Sequence, residues 1–149
     1  MIYAPHSNQQ PLLRIASPLT VVLPRKTKAD KKFSLNLNVY RNTHPRILND
    51  TKRIYKELMF DFFDSQGWQD LVLPEELDIT FRLFKGANRR TDKSNFFAIQ
   101  AKYLYDTMVE YGMISDDNDD VIKKELLLPT RLDRVTPRAE FTFDQSLDT

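Results

Sequence analysis

The sequence predicts one layered domain of α/β or α+β type, with a mixed sheet of four to five strands and two main helices. Three features carry that expectation. Leu77, Ile79, Phe81 and Leu83 alternate with Asp78, Thr80, Arg82 and Phe84, the period of a strand with one buried face. A helical stretch over 93–111 is framed by Asp92, a capping residue, and Gly112, a helix-stopping one. The chain has 149 residues, 41% hydrophobic and 29% charged, which suffices for one core and leaves little for a second.

The elements follow in chain order. Residues 1–17 are polar and carry prolines, so they predict an N-terminal tail or arm, with the domain itself over 18–149. The run Leu19-Thr20-Val21-Val22-Leu23 reads as a strand ended by Pro24, and 25–32 (RKTKADKK) as a charged loop. Phe33, Leu35, Leu37 and Val39 alternate with Ser34, Asn36, Asn38 and Tyr40, which predicts a second strand, broken at Asn42-Thr43-His44-Pro45. Asn49 or Asp50 can cap a helix running to about Ser65, with Ile54, Leu58, Asp61 or Phe62, and Ser65 on one side and Gly67 closing it. After the strand over 77–83, the loop Lys85-Gly86-Ala87-Asn88-Arg89-Arg90 leads into the long helix. Ile122–Leu128 and Ala139–Phe143 are further strand candidates, giving the expected order β-β-α-β-α-β-β.

Composition excludes several chemistries. Without cysteine there is no disulfide, thiolate zinc site or cysteine nucleophile. His6 and His44 are too few and too far apart for a histidine-based metal site. Any metal would be held by carboxylate oxygen, which favours Mg²⁺ or Mn²⁺. No apolar run is long enough to cross a membrane, and Met1 to His6 lack the basic and apolar regions of a secretion signal. The net charge is only +1, yet the charges are segregated. From Arg25 to Lys56 ten Lys or Arg stand against Asp30 and Asp50, and from Glu57 to Thr80 there are seven acids and no base. A second basic stretch (Arg82 to Lys93) precedes a second acidic one (Asp106 to Asp120). Such blocks suit separate surfaces, one for phosphate backbone and one for a cation.

The long helix divides into two stripes. Phe97, Ala101, Leu104, Met108 and Tyr111 fall on one side, an expected core stripe. Asn95, Lys102 and Asp106 fall close to the opposite side. Spacing alone makes that second stripe an ordinary polar face, Asp92 a helix cap, and Asp116 to Asp120 a solvated acidic turn without the spacing of a calcium loop.

The whole run nevertheless has a recognisable pattern: Arg90, Asp92, Asn95, Lys102, Asp106, Gly112, Ile114, Asp116-Asp117-Asn118, Asp120 and Ile122. It resembles the phage and prophage branch of the RusA-like Holliday-junction resolvases. Tyr40-Arg41-Asn42-Thr43-His44 with Lys52 and Tyr55, and Pro137-Arg138-Ala139-Glu140, are similar to flanking parts of that branch, so the likeness spans roughly 33–143. The resemblance implies a homodimeric, Mg²⁺-dependent endonuclease (Mn²⁺ as the other ion) that cuts four-way or other branched DNA, in the cytoplasm of a bacterial host. It implies Asp92 and Asp117 as metal-binding catalytic carboxylates, Lys102 as the catalytic, positively charged residue near the scissile phosphate, and Asp116, Asn95 and Asp106 as further metal-site members. Arg89, Arg90, Lys93, Lys52, Arg53 and Arg41 are the expected DNA contacts. One departure stands out: many relatives carry a second Asp two residues after the first, where this chain has Ser94. The alternative is therefore a DNA-junction-binding or phage interaction protein on the same fold with catalysis weakened or lost. A helix of this length puts Asp92 and Gly112 some distance apart, so a shared metal requires the acidic loop to fold back or to come from a partner subunit.

Overall fold

The computed structural model describes residues 10–147. Its elements are β1 (Leu13–Ser17), β2 (Thr20–Leu23), β3 (Lys31–Ser34), α1 (Leu37–Arg41) and α2 (Pro45–Ser65). They continue with β4 (Leu77–Lys85), α3 (Lys93–Tyr111), β5 (Ile122–Leu127), β6 (Arg131–Leu132) and β7 (Arg138–Gln145). The main sheet is five-stranded and mixed, in the order β1-β7-β4-β5, with β6 also pairing β4. β7 runs antiparallel to β1 and β4, whereas β5 and β6 run parallel to β4. Parallel neighbours need a long crossover, and α3 supplies it between β4 and β5. β2 and β3 form a separate antiparallel ribbon against α2. The fold is α+β, with α2 and α3 as its two main helices, as the sequence predicts.

The alternation of β4 appears in full: Leu77, Ile79, Phe81 and Leu83 are buried and their neighbours half-buried. Ala139, Phe141 and Phe143 do the same on β7. α3 lies on that face, where Phe97 packs edge-on to Phe81 (ring centroids 5.1 Å) and Tyr105 packs edge-on to Phe141 (6.2 Å). α2 packs on α3 through Tyr55 against Tyr103 and Phe63 against Tyr111. Being covered by the sheet and by α2, α3 buries more than the expected stripe of Ala101, Leu104 and Met108. Ile99, Gln100, Tyr103, Tyr105 and Thr107 are also buried, while Phe97 and Tyr111 are half-buried.

Four expectations need correction. The N-terminal arm expected over 1–17 holds a strand, because Leu13, Ile15 and Ser17 turn inward as β1 pairs with β7; residues 1–9 lie outside the described residues. The strand expected over 33–40 ends at Ser34, since the Asn36 side chain accepts the Val39 N–H at 2.9 Å and caps the short α1. α2 begins before Asn49 and Asp50: the His44 ring accepts the Arg46 N–H at 3.1 Å, and Pro45 occupies the first turn, where its missing N–H costs nothing. Its buried row is Thr51, Tyr55, Met59 and Phe63, so Leu58 of the expected row is 49% exposed. At the far ends the expectations hold. Asp92 caps α3 by accepting the Ser94 N–H at 3.0 Å, and Gly112 ends it with φ 93°, in the left-handed region.

Two polar features tie elements together. Ser17 Oγ donates to Gln100 Oε1 (2.6 Å), and Gln100 Nε2 donates to the Pro18 carbonyl (2.7 Å). Ser17 has one proton and gives it to Gln100, so the Tyr55 hydroxyl, 2.7 Å away, must donate to Ser17. Three elements, β1, α2 and α3, thus share one directed, buried chain of hydrogen bonds. On the turn before β7, Asp133 accepts from the Val135 and Thr136 N–H groups, the Thr136 hydroxyl and the Arg138 guanidinium (2.9 Å). The Thr136 N–H first, and then Arg138, hold its carboxyl down at about 2.

Candidate functional site

The expected site residues fall at the two ends of α3. At its N-terminal end, the loop after β4 and the cap of α1 face each other across an open groove of about 670 Å³. Arg89, Arg90, Asp92 and Asn95 line it, together with Asn36, Asn38 and Lys85. This is the C-terminal end of strand β4, where loops of open sheets commonly carry ligands. Lys93, half-buried, opens the helix beside it. One carboxylate oxygen of Asp92 is engaged by the Ser94 N–H, so capping and the groove draw on the same side chain. Arg89 is held by its backbone, whose carbonyl accepts from the Lys85 ammonium at 2.6 Å.

At the other end the acidic loop folds back. Asp116 Oδ1 accepts the Asp117 N–H at 2.7 Å and its Oδ2 accepts from the Asn118 amide at 3.1 Å. Asn118 Oδ1 then accepts the Asp120 N–H at 2.9 Å, a succession of side-chain turns that fixes the loop. The carboxyl of Asp117 is raised above the usual range, by loss of surrounding water first and then by Asp116 and Asp106. Asp117 therefore sits within electrostatic reach of Asp106. It also adds to the upward push on the Tyr105 phenol, which burial raises first and Glu125, bonded at 2.8 Å, raises further.

Lys102 and Asp106 stand exposed on the ridge between these neighbours: Tyr103 beside them packs on α2, and Tyr105 reaches β5. Asp106 lines a cleft of about 240 Å³ between α2 and α3, opposite Lys52, Arg53 and Lys56. Lys56 pairs with Glu110 at 3.0 Å, Arg53 with Glu57 at 3.3 Å, and Lys52 stands 6.0 Å from the Tyr40 ring centroid. Arg41 is exposed at the end of α1.

The structure thus ties Asp116 to Asp117 within the acidic loop, with Asp106 in electrostatic reach and Lys102 one turn before Asp106 on α3, and separately lines one groove with Arg89, Arg90, Asp92 and Asn95. It does not bring the two groups together within one chain. Asp92 and Asp106 are 14 positions apart in the sequence, about 21 Å along the helix axis at ~1.5 Å per residue. Among the described residues, no group of three or more His, Asp or Glu is gathered closely enough to enclose a metal ion. Spacing did not single out Tyr105 and Glu125, because Glu125 joins the site only through the pairing of β5 with β4. Asn36 and Asn38 were hidden by the false strand over 33–40. No protein-family model matches the chain, and no curated protein matches it. Among the described residues no helix is long and apolar enough to cross a membrane.

Proposed function

We propose that the protein is a Mg²⁺-dependent endonuclease of branched DNA, of the resolvase type, acting as a homodimer in the cytoplasm of a phage-bearing bacterial host. The observation that supports this reading is the acidic loop itself: Asp116 accepts the Asp117 N–H, and Asp106, one turn after Lys102 on α3, is near enough to push the Asp117 carboxyl upward. Carboxylates that lie close to one another repel, and a divalent cation relieves that repulsion. Mg²⁺ is commonly held by one or two carboxylates, waters and substrate phosphate, so an open set of this kind fits it without a closed cage. Asp117, with Asp116 or Asp106 as a second carboxylate, would hold the ion, which when bound would lower the pKa of water and polarise phosphoryl oxygen. Lys102 places positive charge where the phosphorane-like transition state gains negative charge. The groove at the other end of α3, with Arg89 and Arg90, holds backbone phosphates, and Lys93, Lys52, Arg53 and Arg41 extend that contact. Asp92 and Asn95 serve the same or a second ion only if a partner subunit brings its own acidic loop to them, which is the reason for proposing a dimer.

A second reading has its own observation. Ser94 is exposed where a second carboxylate would strengthen the Asp92 end, and Asp92 itself is engaged as a cap. This favours a junction-binding protein without cleavage. Incubation of labelled four-way junction with Mg²⁺, beside Asp92→Asn and Asp117→Asn, separates the two. Symmetric nicks lost in both variants support the nuclease. Binding with no nicks in the wild type supports the second reading, and neither activity sinks both.

A further inference from the structure

The charge block from Arg25 to Lys32 lies far in sequence from both ends of α3 and is used by neither. Arg25, Lys26, Lys28, Lys31 and Lys32 are all exposed on the turn and outer strand of the β2–β3 ribbon, with Asp30 as the one acid among them. Among the described residues no carboxylate is within ion-pair distance of Lys26, Lys28, Lys31 or Lys32. Arg25 is oriented, its Nε donating to the Ala29 carbonyl at 2.8 Å across the turn. The ribbon is a firm base for these charges. Val21, Leu23 and Phe33 are buried against the body of the domain, and Val21 pairs with Phe33 across the ribbon.

Two clefts connect this ribbon to the acidic end of α3. One, of about 250 Å³, lies between the ribbon and α2 and is lined by Arg25, Lys31 and Arg53 with Asp50 as its one acid. The next is the cleft between α2 and α3, lined by Arg53 again, with Lys52, Lys56, Asp106 and Glu110. Arg53 belongs to both clefts and pairs with Asp50 and Glu57, and Lys56 pairs with Glu110, so the positive charge along this side is most concentrated on the ribbon, with Lys52 beyond it. A polyanion held on the ribbon and passing Arg53 and Lys52 comes to the ridge that carries Asp106. The turn from Pro24 to Asp30 has no aromatic or large aliphatic residue to enter a lipid surface, which argues against a membrane as the occupant.

We propose that the β2–β3 ribbon is a DNA clasp: Lys26, Lys28, Lys31, Lys32 and Arg25 hold the phosphate backbone of a duplex arm and lead it over Arg53 toward Asp106. The proposal rests on the reading that this protein binds DNA, but not on cleavage. The test compares the wild type with a variant carrying Lys26→Gln, Lys28→Gln, Lys31→Gln and Lys32→Gln. These side chains are exposed, and circular dichroism checks that the fold is kept. Fluorescence anisotropy with a labelled duplex and a labelled four-way junction gives affinity as a function of salt. Loss of four phosphate contacts makes the slope of log K against log salt shallower by about 3 to 4 and lowers affinity at least about tenfold at moderate salt. That result upholds the clasp, and upholds it equally if the wild type never nicks the junction, in which case the nuclease reading alone fails. Unchanged affinity and slope in a variant that binds DNA overturns the clasp, and continued nicking then leaves the nuclease reading intact. Absence of wild-type binding to either DNA overturns both. Binding to phosphatidylserine vesicles that the variant loses, with DNA binding unaffected, overturns the clasp in favour of a lipid surface.

Discussion

Replacing Gln100 by Leu cuts the buried chain that joins β1, α2 and α3. In the wild type the chain runs in one direction: Tyr55 gives to Ser17, Ser17 to Gln100, and Gln100 to the Pro18 carbonyl. Leucine fills a similar volume but neither accepts nor donates. Whichever way Ser17 and Tyr55 reorient, one hydroxyl proton loses its acceptor where Ser17, Tyr55 and Gln100 are at most 1% exposed, and the half-buried Pro18 carbonyl loses its donor. A buried unpaired group costs about 1–3 kcal/mol and a half-buried one less, so the two together cost roughly 3 kcal/mol. For a domain of this size that lowers Tm by roughly 6 to 12 °C. Tyr55→Phe removes a donor and strands no proton, so it costs about 1 kcal/mol. The double variant loses the Tyr55–Ser17 bond as Tyr55→Phe does and strands the Ser17 proton as Gln100→Leu does, so its cost is close to the sum of the two. Urea and thermal unfolding followed by circular dichroism give all three numbers. A Gln100→Leu cost within about 0.5 kcal/mol of zero, or one no larger than that of Tyr55→Phe, refutes the directed chain.

Three further predictions test other parts. Gly112→Ala meets nothing within 4 Å but keeps a φ of 93°, so its cost is backbone strain alone, about 1–2 kcal/mol in the same unfolding assay. Phe141→Ala empties a fully buried position between Phe81, Tyr105 and Phe143 and costs about 3–5 kcal/mol, lowering the urea midpoint with an unchanged m-value. Asp133 has its carboxyl depressed from 3.8 to about 2, so its contribution is present above pH ~4 and is lost as pH falls through 2. Wild type and Asp133→Asn therefore differ in stability at neutral pH, and the gap closes between pH ~4 and 2; a gap constant over that range contradicts the assigned cause.

Where local chemistry and tertiary packing ask for the same thing, the fold was legible. The alternation over 77–83 and the Asp92 and Gly112 ends of α3 are such cases, each determined by residues within a turn or a strand. Residues 33–40 show the opposite. Phe33, Leu35, Leu37 and Val39 alternate correctly for a strand, yet one side chain, Asn36, caps a helix and ends the strand at Ser34. On α2 the misplaced start shifted the inner row, because Tyr55, Met59 and Phe63 are chosen by what α3 and β2 present, which spacing does not contain. The candidate site divides the same way. The stripe of Asn95, Lys102 and Asp106 was visible as a face of one helix. That Asp117 comes within electrostatic reach of Asp106, and that the Tyr105 hydroxyl meets Glu125, depends on β5 pairing in parallel with β4.

The position of β7 sets an order on the birth of the molecule. This last of the described strands is not an edge: it lies between β1 and β4, and its backbone meets the first described strand from Leu13↔Phe143 to Ser17↔Ala139. While a ribosome is still working on the chain, β1 has no neighbour and the sheet is only β4 with its parallel partners. Pairings this distant in sequence form slowly. Until Arg138 to Gln145 emerge, β4 lacks one neighbour and Tyr105 of α3 lacks its partner Phe141, so the main sheet is complete only once these residues have been made.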